Sequence, residues 1–254
     1  MKARDFVNLL LRPGGYEVVR TRKRDHRPIF RADGLQTAHN HDFLRDPRFV
    51  AARRRAEQAD PGVDIPWRLH MALWAASHAL RLEGDFVECG VNRGYLTSGI
   101  LNYLDWNRQG RRFFLFDTFQ GLDESQLSEA ERAKGRAEQG RARYRECFEE
   151  VRANFAEFER VHLVRGSIPA TLAGEEAQGI EQVAYLSIDM NNAAPEVAAA
   201  EFFWDKLVPG AVVLLDDYAY SGYEEQKAAM DEFAAGKGVS IASLPTGQGL
   251  LLKS

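Results

Sequence analysis

The sequence predicts a doubly wound α/β fold, in which a mostly parallel seven-stranded sheet ends in a C-terminal antiparallel hairpin. Three observations predict it. Apolar runs of strand length alternate with helix patterns from about residue 84 onward, which is the signature of a parallel sheet covered on both faces. The first run is followed by a glycine turn, ECGVNRG at 88–94, and then by a helix pattern. The last two runs are joined by LPTGQG, too short for a crossover helix, so they must pair antiparallel.

The elements follow in order. Strands are expected at 85–91, 112–118, 161–166, 183–189 and 211–216, where β-branched and aromatic residues dominate and charges are few. Two more, at 239–243 and 250–253, form the closing hairpin. Helix patterns occupy 67–82, 95–106, roughly 141–158, 195–207 and 224–235. Pro195 near a start and Gly236 near an end match the asymmetry of helix termini. Residues 1–65 differ: they are rich in Arg, Asp and His, with a turn at ADG (32–34) and prolines at 47 and 61. They read as an N-terminal extension packed over a main domain spanning 66–254. Their basic run RTRKRDHR (20–27) reads as a solvated surface, with a phosphate grip as the alternative.

Composition bounds the function. Hydrophobic residues make up 45% and charged residues 28%, ordinary values for a soluble globular chain. A formal net charge of -4 gives no electrostatic case for a nucleic-acid partner. Cys89 and Cys147 cannot build a disulfide framework, which fits a reducing cytoplasm. The N-terminal stretch lacks a signal-peptide core, and no apolar run approaches the roughly 20 residues needed to span a bilayer. The expectation is a cytoplasmic protein without a membrane partner. Apolar surface in the N-terminal region and on helix 67–82 suggests a homo-oligomer, most simply a two-fold dimer, with packing inside one chain as the alternative.

In an open parallel sheet, ligands bind at the carboxyl ends of the strands, where strand order reverses. Gly90 permits a tight turn there, and Gly94 is expected to let backbone approach a ligand. Glu88 argues against a pyrophosphate and suits a cationic ligand, such as the sulfonium and ammonium groups of S-adenosylmethionine. Asp117, at the end of the second main strand, is expected to hold ribose hydroxyls, or else to cap a turn. Ser167, after the third, is expected near an adenine edge. Cys89 reads as a small buried strand residue. Asp189, Asp216 and Asp217 end the next two strands, side by side. Their mutual repulsion is relieved by a hard divalent cation such as Mg²⁺, unless one caps a turn while another is solvated.

From Gly84 onward the chain resembles the macrocin-type O-methyltransferases, a family of class I S-adenosylmethionine-dependent enzymes. The matching pieces are VECGVNRG, FDTFQGL, IDMN at 188–191 and PGAVVLLDDY at 209–218. The resemblance implies a Rossmann-like methyltransferase fold and transfer of a methyl group to a sugar or phenolic hydroxyl of a natural product. It further implies metal binding by Asp189, Asp216 and Asp217, with Asp189 as general base. The sequence departs from the family where Asn191 stands for a second Asp and Ala193 for a Tyr. A nicotinamide-dependent oxidoreductase and a non-catalytic binding protein on the same fold are the rival readings; Glu88 and the paired aspartates count against the first. The charged segment 121–145 reads as a lid or as a solvated helix, and His39 and His41 as acceptor-pocket residues too few for a zinc site. Tyr218, Tyr220 and Tyr223 read as pocket wall or as packing under a loop.

Overall fold

In the computed structural model, residues 29–254 are described, with positions 7, 11 and 13 before them. The basic run 20–27 lies outside the described residues. A two-stranded antiparallel hairpin comes first: β1 (Phe30–Ala32) and β2 (Leu35–Thr37), turning through Asp33 and Gly34, both at positive φ. Helix α1 (Pro47–Ala59) starts at Asp46, whose side chain accepts the N–H groups of Arg48 and Phe49, with Pro47 at the first position. It buries Phe49, Ala52 and Ala56 in the main core, so part of segment 1–65 is integral to that core. Helix α2 (Pro66–Ala79) follows.

The sheet then begins with β3 (Asp85–Cys89), α3 (Tyr95–Tyr103) and β4 (Phe113–Asp117). Three short helices, α4 (Glu129–Ala133), α5 (Arg136–Arg143) and α6 (Phe148–Phe155), lead to β5 (Val161–Arg165). Next come α7 (Glu175–Gln178), β6 (Val183–Ile188), α8 (Ala193–Trp204), β7 (Leu207–Leu215), α9 (Glu224–Gly236), β8 (Ala242–Ser243) and β9 (Gly249–Leu252). The seven strands lie in the order β5-β4-β3-β6-β7-β9-β8. The first five are parallel; β9 runs antiparallel to β7, and β8 to β9. This is the expected sheet with its antiparallel hairpin.

Strand alternation sorts the core into two layers. Phe86, Phe113, Leu115 and Tyr185 pack on one face with α1, α2, α3 and α6. Val87, Phe114, Phe116 and Leu186 pack on the other, with Phe203 and Trp204 of α8 and Met230 of α9. The α2 part of the apolar surface invoked for an oligomer packs inside the chain: Leu69, Ala72, Leu73, Ala76 and Ala79 are buried, and Trp74 is exposed. No described helix is long and apolar enough to cross a membrane.

Two elements differ from expectation. The helix expected at 141–158 is broken in two, because Tyr144 is extended (φ -108°, ψ 139°) and the Cys147 N–H pairs with the Phe119 carbonyl at 2.9 Å. That bond pulls the chain across the end of β4 before α6 can start. Strand β7 begins four residues early and tolerates Pro209-Gly210 through a register shift and Gly210 at φ +84°.

Candidate active site

Strand order reverses between β3 and β6, and a cavity open to solvent lies above their carboxyl ends. The two strand ends almost touch: a Cβ on Gly90, whose φ is +90°, would lie 1.7 Å from the Asp189 carbonyl oxygen. Glycine is therefore required by packing as well as by conformation. Three non-glycine residues at neighbouring strand ends also have positive φ: Asn92 (49°), Phe119 (55°) and Asn191 (61°). Unfavourable backbone gathered at one place is characteristic of a working site.

Of the residues expected to bind a cofactor, Gly90, Asp117 and Ser167 line this cavity, as does Asp189. Gly94 does not. It opens α3, and a Cβ there would meet the Phe155 ring at 2.5 Å, so its need for glycine comes from helix packing rather than ligand approach. Glu88 is also outside the lining. It shares the strand face of Phe86, is 3% exposed, and receives a hydrogen bond from the Thr97 hydroxyl of α3. Burial, with the nearby charges of Asp216 and Asp117, pushes its carboxyl up to about 8. Glu88, the expected partner of a cationic ligand, lies behind the cavity wall, on the strand face turned toward α3.

Asp117 lines the cavity but is already engaged. One of its oxygens accepts the Val91 and Asn92 N–H groups at 2.6 and 2.8 Å, and the other the Phe119 N–H at 2.6 Å. These bonds make it the clamp of the glycine turn, as the turn-cap alternative has it, with limited acceptor capacity left for a hydroxyl.

The segment after β4 supplies residues that sequence reasoning missed. Ser167 donates to Asp123 at 2.7 Å, and Gln126 donates to both Asp123 (2.9 Å) and Ser167 (2.7 Å). Hydrogen bonds from Ser125, Ser167 and Gln126 hold the Asp123 carboxyl below its usual range. Ser167 is expected here from the sequence; only the charged character of the loop hinted at Asp123 and Gln126. The rest of the segment has many exposed residues and is tied to neighbouring elements by a few buried ones. Ser128 and Glu131 form a capping box on α4, and Glu131 also accepts the Ala193 N–H at 2.9 Å, at the start of α8. Lys134 pairs with Glu224 and Glu225 of α9, each at 2.8 Å.

Asp189 is the cavity-lining member of a cluster in which one carboxylate oxygen from each of Asp189, Asp216 and Asp217 lies within 4.8 Å of the others. Burial, then repulsion from Asp216 and Asp217, pushes Asp189 well up; burial and Asp216 push Asp217 up to about 7. Asn191, at the family's second Asp position, donates to Asp189 at 3.2 Å and accepts the Tyr223 hydroxyl at 2.9 Å. Tyr223 thereby brings a phenol to the cluster although Ala193 carries none. Arg68 and Gln248 donate to the two oxygens of Asp216, at 2.5 and 2.9 Å. Neither was legible as a site residue. Tyr220 donates to Asp33, and Tyr218 to Asp231, away from the cluster. His39 is exposed, and His41 bonds back to the His39 carbonyl at 2.9 Å; neither joins the carboxylate group.

Comparison with known proteins decides the family. The sequence pattern described as Macrocin-O-methyltransferase (TylF) matches residues 69–243, more than half of the chain. The chain belongs to the macrocin-O-methyltransferase family. As a member of that family it is an O-methyltransferase, which sets aside the oxidoreductase and non-catalytic readings. Solved structures share the fold of this family member. The O-methyltransferase NovP aligns with TM-score 0.64 and 24% identity, over 74% of this chain and 79% of its own. CalS11, a calicheamicin methyltransferase, aligns with TM-score 0.59 and 19% identity, over 84% and 98%. An O-methyltransferase from Bacillus cereus, in complex with SAH, aligns with TM-score 0.50 and 15% identity, over 84% and 96%. No curated protein matches the sequence.

Proposed function

We propose that the chain transfers a methyl group from S-adenosylmethionine to a hydroxyl of a sugar or phenol-bearing natural product, with a divalent cation at the aspartate cluster. The observation that carries this reading is one cavity whose lining runs from the Ser167–Asp123–Gln126 network, past the Gly90 turn, to Asp189. The network offers polar groups of the kind that hold an adenosine, and Asp189 stands where an acceptor hydroxyl would lose its proton. CalS11, named a calicheamicin methyltransferase, supports the acceptor class, and NovP, named an O-methyltransferase, supports transfer to oxygen. The SAH-bound Bacillus cereus structure supports the cofactor.

S-Adenosylmethionine supplies an electrophilic methyl group on sulfur when bound. The chain's own part is to align the acceptor oxygen with that methyl, a proximity effect, and to keep water out. Leu122, Asp123, Gln126, Tyr144 and Arg145, from the two ends of the segment after β4, line the cavity and would serve the second task. Asp189 accepts the hydroxyl proton, directly or through water. Asn191 and Tyr223 fix its carboxylate in place.

The residues fit a hard cation. Three convergent carboxylates offer oxygen donors alone, the Arg68 and Gln248 bonds leave each Asp216 oxygen a lone pair, and the mutual repulsion calls for positive charge. Asp189, Asp216 and Asp217 would hold Mg²⁺, which lowers the pKa of a bound hydroxyl and orients it. Calorimetry with SAH and with NAD, followed by methyl transfer to a panel of glycosides and catechols with and without chelator, tests the reading. SAH binding without NAD binding, and a chelator-sensitive activity restored by Mg²⁺, are expected. No SAH binding would remove the cofactor assignment; full activity after exhaustive chelation would remove the cation.

A further inference from the structure

The carboxylate cluster is not bare. Arg68 on α2 donates from Nη1 to Asp216 Oδ2 at 2.5 Å, and from Nε and Nη2 to the two oxygens of Asp33 at 2.6 and 2.9 Å. All three side chains are largely buried: Arg68 is 15% exposed, Asp33 12% and Asp216 3%. Asp33 sits in the β1–β2 turn, and both it and Arg68 precede the segment 69–243 that carries the family pattern. The Tyr220 hydroxyl donates to the same Asp33 oxygen as Nη2, at 3.1 Å, and the guanidinium carbon lies 5.3 Å from the Tyr220 ring centre. One guanidinium is therefore divided between two carboxylates, with two hydrogen bonds to Asp33 and one to Asp216.

We infer that Arg68 is a competing cation: it neutralises Asp216 in the absence of a divalent ion and, anchored on Asp33, yields Asp216 when the ion binds, so that the Arg68–Asp33 pair sets the affinity of the site. The inference rests on the divalent-cation reading of Asp189, Asp216 and Asp217. A positive charge hydrogen-bonded to a ligand opposes a second cation there. Its release is inexpensive because the bidentate pairing with Asp33 is the stronger seat and survives loss of the single bond to Asp216. Asp33 in turn offsets the charge of Arg68 as felt by the cluster. The two residues therefore act on cation affinity with opposite signs. A residue that only held Asp216 in position would, when replaced, weaken cation binding.

The test is cation binding by the full chain, read by calorimetry with Mg²⁺ and by electron paramagnetic resonance with Mn²⁺. Arg68→Gln is expected to bind Mn²⁺ on the order of tenfold more tightly than wild type, the effect of one charge removed at contact distance in a partly buried site. Asp33→Asn, which leaves Arg68 and Asp216 intact, is expected to bind it several-fold more weakly. Thermal melting checks that both variants are folded, and Asp33→Asn carries the test alone if Arg68→Gln is not. Wild-type binding with Arg68→Gln unchanged or weaker, or with Asp33→Asn unchanged or tighter, overturns the inference by itself. Absence of divalent-ion binding in wild type and variants alike overturns the cation site and the inference together.

Discussion

Asp117 holds the backbone of Val91 in place: a single carboxylate oxygen takes the Val91 N–H at 2.6 Å and the adjacent Asn92 N–H at 2.8 Å. The turn between β3 and α3 is thus pinned to the end of β4 by a charged acceptor, beside the backbone bond from the Gly90 N–H to the Phe116 carbonyl at 2.8 Å. Removing that acceptor leaves three amides, counting Phe119, to find partners in a partly buried place. Asp117→Ala is expected to lower stability without any ligand by about 2–4 kcal/mol, on the scale of charge-assisted hydrogen bonds and their unpaired remnants. Urea denaturation of the ligand-free protein measures it. A variant as stable as wild type that still loses SAH affinity would reverse the assignment and make Asp117 primarily a ligand residue.

Gly90 gives a second expectation. With a Cβ position 1.7 Å from the Asp189 carbonyl oxygen, the strand ends would have to separate to accept alanine, and φ +90° adds its own penalty. Gly90→Ala is expected to destabilise the fold by roughly 3 kcal/mol or more and to displace Asp189, so that soluble yield and cation binding fall together. Gly110, at φ +65° with open space around its Cβ position, is the control. Its alanine variant meets only the conformational cost, about 1 kcal/mol.

These two positions show what the sequence makes legible. The strand ends are readable because a parallel sheet writes them as apolar runs stopped by Gly or Asp, and neighbouring ends must lie side by side. That reasoning brings Asp189, Asp216 and Asp217 together from residues 27 and 28 positions apart. The face of the strand on which Glu88 falls is set by its alternation with Phe86 and Val87, and the pattern does not say which face meets the cavity. The partnership of Arg68 with Asp216 spans 148 positions and joins a helix to a strand end. No local period encodes such a contact. The break at Tyr144 depends on the Cys147 N–H finding the Phe119 carbonyl, which propensity in the helical stretch before it conceals.

The Ser167–Asp123–Gln126 network yields a ligand prediction. Each member satisfies the others in the ligand-free protein, so an incoming adenosine exchanges bonds rather than adding them. Ser167→Ala is expected to weaken SAH binding by about 0.5–1.5 kcal/mol, the net value of one hydrogen bond, with little change in stability because the site is only part-buried. Asp123→Ala frees both Gln126 and Ser167 and is expected to cost more, roughly 1.5–3 kcal/mol. Calorimetry with SAH ranks the two; equal, wild-type affinities in both variants would move the adenosine away from this end of the cavity.

Glu88 makes the pH dependence of stability specific. Its carboxyl titrates at about 8 in the fold against 4.5 without it, the shift being driven by burial first and opposed by the Thr97 hydrogen bond. The folded chain therefore keeps a proton that the unfolded chain releases between those values. Stability from this group is complete below about pH 4.5 and is lost as pH rises through 8, with a slope of up to about 1.4 kcal/mol per pH unit inside the window. Glu196, also pushed up to about 8 by burial and by Asp217, contributes in the same direction. Glu88→Gln is neutral at every pH and close in shape, so its stability relative to wild type is expected to grow steadily from pH 5 to pH 8. Urea denaturation at several pH values reads the difference directly. A difference independent of pH would mean that Glu88 is ionised in the folded protein, and it would restore that carboxylate as a partner for a cationic ligand.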